Sequence, residues 1–279
     1  MPNTLTGAQA AAAIYAQVRE HAAALLDAPP CLAAVSVGAQ PDDLAYLRSI
    51  AQAAEGCGVA VRPVPLPADC APETLTDTLR ALSADGAVHG VLLLRPLPAA
   101  LRAQEILDTL DARKDVDGMT TRSLGALVTG AAGFAPCTAE ACMELLRAHG
   151  IDPAGRRVTV VGRSLVIGQP AALLLTRADA TVTLCHRKTS DLAARCRDAD
   201  ILLAAAGAPG LITPDFVRPG QIVLDAGATA LPDGTLRGDV APDAAAIAVC
   251  TPVPGGIGSV TTALLLRHTV QAAENLRHF

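Results

Sequence analysis

Between residues 157 and 185 the chain reads strand, glycine-bearing turn, apolar helix, strand, and no other stretch limits its fold so tightly. Val158-Thr159-Val160-Val161 is β-branched throughout, as suits a buried strand. Gly162, Ser164, Gly168 and Pro170 follow. Pro170 suits a first helical turn, where its missing N–H costs nothing. A helix from Ile167 to Arg177 and a strand from Thr181 to Leu184 complete the unit. Strands separated by a helix run parallel, and a parallel sheet needs helices on its faces. An α/β fold is therefore expected.

The same alternation runs through the first half. Helices are expected over 6–26, 41–57 and 74–83, and strands over 32–37, 59–64 and 90–94. Asp42 and Asp43 favour the start of the second helix. Pro96 and Pro98 end the third strand, because proline cannot donate to a ladder. A turn is expected at 114–118, and Thr138 caps a helix through Ala148. Gly150 and Pro153 then mark a boundary. Further on, a helix starts at Asp191, strands cover 201–205 and 222–224, and a long helix runs from Gly258 to about Arg277.

Composition narrows the function classes. A chain of 279 residues with 51% hydrophobic content can bury one large core or two ordinary ones, which excludes disorder. A net charge of −5 and the lack of a basic tract give no reason to expect nucleic acid. No run approaches the roughly 18 apolar residues of a membrane span. The Ala-rich start is broken by Arg19, Glu20 and His21 and lacks the pattern of a signal peptide. A cytoplasmic location with no membrane partner is expected. The eight cysteines are scattered with no C-x-x-C pair, so neither a metal nor a disulfide framework is expected.

The turn after Val161 is a candidate phosphate cradle. Glycines let backbone approach a pyrophosphate, and a helix N-terminus offers free N–H groups and partial positive charge. The spacing departs from G-x-G-x-x-G, so alone it reads equally as a structural turn. No acid ends the strand 181–184, and Arg187 follows it. An arginine at the ribose edge suits the extra phosphate of NADP, with Arg163 a second candidate.

Two longer blocks carry a resemblance. Val160 to Thr189, with Gly162-Arg163-Ser164, Gly168-Gln169-Pro170 and Cys185-His186-Arg187-Lys188-Thr189, is similar to the bifunctional methylenetetrahydrofolate dehydrogenase/cyclohydrolase family, as is Thr251-Pro252-Val253-Pro254-Gly255-Gly256-Ile257-Gly258. The resemblance implies an α/β folate-binding domain over 1–140 plus 260–279 and a Rossmann-type NADP-binding domain over 141–259. A cleft between them holds folate against nicotinamide. It also implies NADP as cofactor, a folate-type substrate and a homodimer. Gly162, Arg163, Ser164, Gly168, His186 and Arg187 become cofactor residues, and Gly207, Gly227 and Ala228 border the nicotinamide. The family's Gly-Ile-Asn reads Gly227-Ala228-Thr229 here. Taken by itself, His186 reads as a loop histidine with a backbone partner.

On the folate side, Lys114-Asp115-Val116-Asp117-Gly118 matches the family intact, and Asp117 is the carboxylate that grips the pterin in relatives. A carboxylate accepts paired N–H donors from an amino-pyrimidine edge. The alternative is a turn aspartate capping its own backbone. Pro254, Gly255, Gly256 and Ile257 are implied substrate contacts, on a loop stiffened by two prolines. Tyr46 is retained as a catalytic and substrate-binding residue. Four residues on, the family's catalytic lysine is replaced by Ile50. The glutamine that tunes that lysine is replaced by Leu94, the next leucine by Arg95, and a serine by Asp43. A general acid or base needs a titratable proton in reach, and Ile50 has none. Asp43 is a candidate replacement base, with Arg95 its partner or a clamp for an anionic substrate; Asp43 equally favours its helix start.

The expectation is NADP-dependent oxidation of 5,10-methylenetetrahydrofolate to 5,10-methenyltetrahydrofolate, with cyclohydrolase activity weak or absent. Two alternatives stand beside it. One is a paralogue acting on another one-carbon carrier or transferring the methylene unit. The other is a non-catalytic folate- or nucleotide-binding relative.

Overall fold

A computed structural model describes residues 4–25, 28–231 and 233–277. Contacts divide the chain into two compact units. The N-terminal unit is Ala13–Cys137 plus the chain from Thr262 onward; the C-terminal unit is Thr138–Thr261 plus the described part of Met1–Ala12.

In chain order the N-terminal half holds α1 (Ala8–Ala24), β1 (Cys31–Val37), α2 (Pro41–Glu55), β2 (Ala60–Leu66), α3 (Pro72–Ala84), β3 (Gly90–Leu93), α4 (Gln104–Leu107) and α5 (Thr121–Thr129). Its sheet is parallel, in the order β2–β1–β3, with Leu32 opposite Val61 and Gly90. The central strand is buried from Leu32 to Ser36, as expected when both faces are covered. The expected elements are present with small shifts at their ends. The first helix stops at Ala24, and Leu26 lies outside the described residues.

The short α5 has no counterpart in the sequence reading. Its residues include Gly125, Val128 and Thr129, all weak helix formers. Its start is fixed from outside. The Thr120 hydroxyl accepts from the Ser123 N–H, and Asp115 accepts from the N–H groups of Met119 and Thr120.

The C-terminal half continues with α6 (Cys137–Ala148), β4 (Arg157–Val161), α7 (Gly168–Arg177), β5 (Thr181–Cys185), α8 (Leu192–Asp198), β6 (Ile201–Ala204), β7 (Ile222–Asp225), the hairpin pair β8 (Thr229–Ala230) and β9 (Leu236–Arg237), α9 (Pro242–Ile247), β10 (Val249–Cys250) and α10 (Ile257–Arg277). Thr138 is not a cap but lies inside α6, which begins one residue earlier. The five-stranded sheet is wholly parallel, in the order β10–β7–β6–β4–β5. The chain steps outward from β4 to β5, then returns to the other side of β4 for β6. That reversal opens a crevice at the carboxyl ends of β4 and β6, the place where doubly wound sheets bind ligands.

The core of this unit joins Val161, Leu202, Ala204 and Val223 from the strands to Ile212, Val217 and Ala244. Cys185, Cys196 and Cys250 are buried in the same cluster, where they pack as small apolar side chains. The sequence reading groups the first residues with the N-terminal domain. Contacts place residues up to Ala12 in the C-terminal unit instead. The Leu5 N–H donates to the Cys250 carbonyl (2.9 Å), the Gly7 N–H donates to that of Gly255 (2.9 Å), and His149 Nε2 meets the Thr6 carbonyl (3.0 Å). The first two are backbone bonds and carry no side-chain signal.

Candidate functional site

The Lys114–Gly118 turn of the N-terminal unit is built almost entirely from fixed groups. Lys114 is buried, and its ammonium donates to the carbonyls of Leu82 (3.1 Å), in the last turn of α3, and Asp85 (2.7 Å), just after it. Burial lowers its pKa. Asp115 is buried and also accepts from the Ser123 hydroxyl at 2.6 Å. The Val116 carbonyl accepts from His268 Nδ1 (2.8 Å) and Cys137 Sγ (3.2 Å). Because a carbonyl only accepts, Nδ1 carries the proton of His268. Gly118 sits at φ +66°, and a Cβ there would meet the Phe134 carbonyl oxygen at 2.6 Å. That close approach requires glycine.

Asp117 is less buried than its neighbours Lys114, Asp115 and Val116 in this turn. Burial pushes its carboxyl up to about 6; the Asp115 charge adds to this, while Arg95, a Cys137 hydrogen bond and His268 oppose it. The residue as a whole is only half-buried, so the desolvation is local to the carboxyl end. Tyr46 is drawn into the same cluster. Its pKa is raised, first by burial of the hydroxyl and then by the Asp117 charge, against a lowering hydrogen bond with Thr262. It is 39% exposed overall, so its shielding too is local. Arg95 is exposed; burial lowers its pKa and the charges of Asp117 and Asp115 raise it. Tyr46, Asp117 and Arg95 therefore share one field.

The remaining folate-side candidates differ. Ile50 is wholly buried, at 0% exposure, and Leu94 is buried after β3. Neither can exchange a proton. The Asp43 carboxylate accepts from the Gln40 N–H at 2.9 Å, at the start of α2. Its place is that of a helix cap, the structural of its two readings.

In the C-terminal unit, β4 delivers Gly162 to the sheet crevice. Gly162 has φ +123°, and a Cβ there would lie 2.0 Å from the Ala205 carbonyl oxygen beyond β6. A Cβ at Gly168 would lie 2.0 Å from the Gly162 carbonyl oxygen. The two glycines thus let turn, helix start and neighbouring strand end close on one another, leaving a cradle that only hydrogen-sized side chains permit. Ser164 accepts from the Ile167 N–H (3.2 Å), and the Gln169 amide donates to the Arg163 carbonyl (2.8 Å). Arg163 and Arg187 are exposed beside β4 and β5. His186 is committed to its own turn: its N–H donates to the Thr189 hydroxyl (2.9 Å), and its Nδ1 accepts from the Lys188 N–H (3.3 Å). The cradle and its arginines fit a dinucleotide phosphate, whereas the His186 ring serves the loop.

Residues 5–117 match the catalytic-domain model of tetrahydrofolate dehydrogenase/cyclohydrolase, and residues 136–277 match its NAD(P)-binding-domain model. The chain belongs to the tetrahydrofolate dehydrogenase/cyclohydrolase family. It is 48% identical to bifunctional protein FolD 1 of Rhodococcus jostii over 279 residues, covering 98% of this chain and 93% of that one. It is similar to the crystal structure of the bifunctional enzyme FolD of Campylobacter jejuni, with a TM-score of 0.92 and 37% identity over 98% of this chain and 99% of that one. It is equally similar, at a TM-score of 0.92 and 34% identity, to FolD of Trypanosoma brucei, a structure complexed with NADP and an inhibitor; that match covers 99% and 98%. Like these enzymes, the chain is a two-domain α/β protein with parallel sheets. Among the described residues, no group of three or more His, Cys, Asp or Glu could hold a metal ion, and no helix is long and apolar enough to cross a membrane.

In this family member the sequence reading overlooks two buried carboxylates, Asp225 and Asp239. Asp225 ends β7 and accepts from the N–H groups of Gly227, Asp239 and Val240, each at 2.9 Å; its own N–H donates to the Thr251 hydroxyl at 2.7 Å. Asp239 accepts from the N–H groups of Ala206 (2.6 Å), Gly207 (3.0 Å) and Ala208 (2.7 Å). These bonds shape the loop bearing Gly207 and the one bearing Gly227. A Cβ at Gly227 would meet the Asp239 carboxylate at 2.6 Å. The available signal was an acid closing an apolar strand, at Leu224-Asp225. In the 251–258 loop, Pro254 and Gly255 are exposed, whereas Gly256 and Ile257 are buried.

Proposed function

We propose that the protein is an NADP-dependent 5,10-methylenetetrahydrofolate dehydrogenase whose cyclohydrolase activity is weak or absent. The observation that carries this reading is the contrast within one site. Asp117 and Tyr46 keep polar groups in a shared field, while Ile50 at 0% exposure and buried Leu94 offer no proton.

NADP supplies the hydride acceptor when bound. The Gly162–Gly168 cradle and the start of α7 would hold its pyrophosphate, and Arg187 with Arg163 its extra phosphate. The ionised Asp117 accepts N–H donors from the pterin edge and so fixes the substrate's bridging carbon. Tyr46, held protonated, fills the neighbouring wall and donates a hydrogen bond. Electron pairs on the substrate's own ring nitrogens drive loss of hydride from that carbon, so oxidation needs alignment and no protein base. Hydrolysis of the methenyl product is different. Water must lose a proton as it adds, and a ring nitrogen must gain one as the ring opens. An isoleucine at position 50 can do neither.

The NADP preference and a homodimer belong to this reading. A single assay tests it: incubate the protein with methylenetetrahydrofolate and NADP, and record NADPH and the methenyl product in one spectrum. NADPH formation with accumulating methenyl is expected. Rapid loss of methenyl to formyl product refutes the missing cyclohydrolase. Absence of NADPH despite NADP binding refutes the substrate.

A further inference from the structure

We propose that Asp225 and Asp239 are positioning residues for the nicotinamide half of the cofactor, and that their buried charge biases the domain toward the oxidised, cationic ring over the reduced, neutral one. The inference rests on the reading of this unit as an NADP-binding domain.

The geometry points to this pair in three steps. The crevice of the sheet lies at the carboxyl ends of β4 and β6, with the glycine cradle on β4 and the ribose-edge Arg187 beyond β5. A dinucleotide spanning such a crevice has its adenosine half toward β5, which leaves the other half over the ends of β6 and β7. Those ends are the Ala206–Ala208 and Gly227 loops. Second, the loops take their shape from six backbone N–H groups, three on each carboxylate. Third, the carboxylates are sealed beneath an open floor. Asp239 is 0% exposed, yet Ala206 and Gly207 above it face solvent. Gly227 and Gly238 must lack side chains for the carboxylates to fit, since a Cβ at Gly238 would lie 2.0 Å from Asp225 Oδ2.

Each carboxylate spends its oxygens on three backbone N–H donors, an arrangement that suits an acceptor-only group. The mutual effect is visible at Asp225, whose pKa is raised by burial first and by Asp239 last, against three lowering backbone bonds. Fixed negative charge in a poorly screened place attracts a cationic ring more than a neutral one. A cofactor that loses its ring charge on reduction is then held less firmly afterwards, which favours its release.

The test compares dissociation constants for NADP and NADPH, by fluorescence titration, in the wild type, Asp239→Asn and Asp198→Asn. Asp198 is a control, since it removes the same charge at the opposite end of the strands, where it pairs with Arg157. Expected is a fall of at least about fivefold in the preference for NADP over NADPH in Asp239→Asn, the size suited to one partly shielded charge, and no change in Asp198→Asn. Equal weakening of both cofactors would reduce the pair to scaffolding and overturn the inference. If Asp239→Asn fails to fold, the wild type still decides. Buried charges are barely screened, so the NADP:NADPH ratio should hold from about 0.05 to about 0.5 M salt. A ratio that drifts with salt assigns discrimination to surface charge and overturns the inference. Binding of neither cofactor removes the underlying reading as well.

Discussion

Replacing Asp117 by asparagine should make the protein more stable and less able to bind folate. Its carboxyl is pushed up to about 6 from an ordinary 3.8, with burial the first cause. Each pKa unit corresponds to about 1.4 kcal/mol, so complete shielding would give about 3 kcal/mol. The residue is only half-buried and solvent screens part of this, leaving about 1 to 2 kcal/mol. The sign follows from the raised folded-state value. Below pH 3.8 the group is neutral whether folded or unfolded, and it costs nothing. As pH rises through 3.8 the unfolded chain ionises while the folded protein resists, and stability is lost until the folded group ionises near 6. Above that, the cost is constant. Asparagine never ionises, so its advantage should be absent near pH 4 and full at pH 7.5. Denaturant midpoints for both proteins across this range measure it. In the same preparations kcat/KM for methylenetetrahydrofolate should fall about 100-fold, as when a charged hydrogen-bond acceptor is lost. A variant less stable at pH 7.5, or a difference that ignores pH, would refute the reasoning and make Asp117 a structural turn residue.

Three further outcomes follow from the same geometry. Gly162→Ala puts a Cβ against the Ala205 carbonyl at 2.0 Å and should lower NADP affinity by at least about tenfold; unaltered titration would remove the cradle from the cofactor site. Ile50→Lys buries an ammonium where exposure is 0%, so it should cost about 2 to 4 kcal/mol and restore little hydrolysis, because Leu94 and Arg95 remain; strong rescue of methenyl hydrolysis would show that one residue suffices. Arg187→Ser should narrow the preference for NADP over NAD by about tenfold or more in kcat/KM, and a variant with unchanged preference would assign the extra phosphate elsewhere.

Much of the fold around the candidate site was legible because it rests on contiguous blocks. The strand, turn and helix around Gly162 declare themselves through glycine, proline and β-branched residues a few positions apart. The absence of a titratable group at Ile50 is likewise a matter of residue type. Other parts are less readable. In Lys114–Gly118 the sequence singles out Asp117, but it does not say that Lys114 and Asp115 are consumed by α3 and α5. Asp43 and His186 look equally chemical on paper, and each is occupied by a local backbone bond.

The sequence by itself determined the α/β alternation, the glycine-bearing turn after β4 and the absence of a titratable group at position 50. These depend on backbone propensity and functional-group chemistry, which act over a few neighbouring residues. Only the tertiary structure decided which acids are free. Asp225 and Asp239 are joined to loops up to 33 residues away by N–H bonds that no side-chain pattern announces. The raised pKa of Asp117 likewise comes from burial, with the Asp115 charge adding to it against Arg95, Cys137 and His268, groups that packing alone brings together. Desolvation and long-range backbone pairing are properties of the folded surroundings, so they appear only once the chain has closed around the residues that feel them.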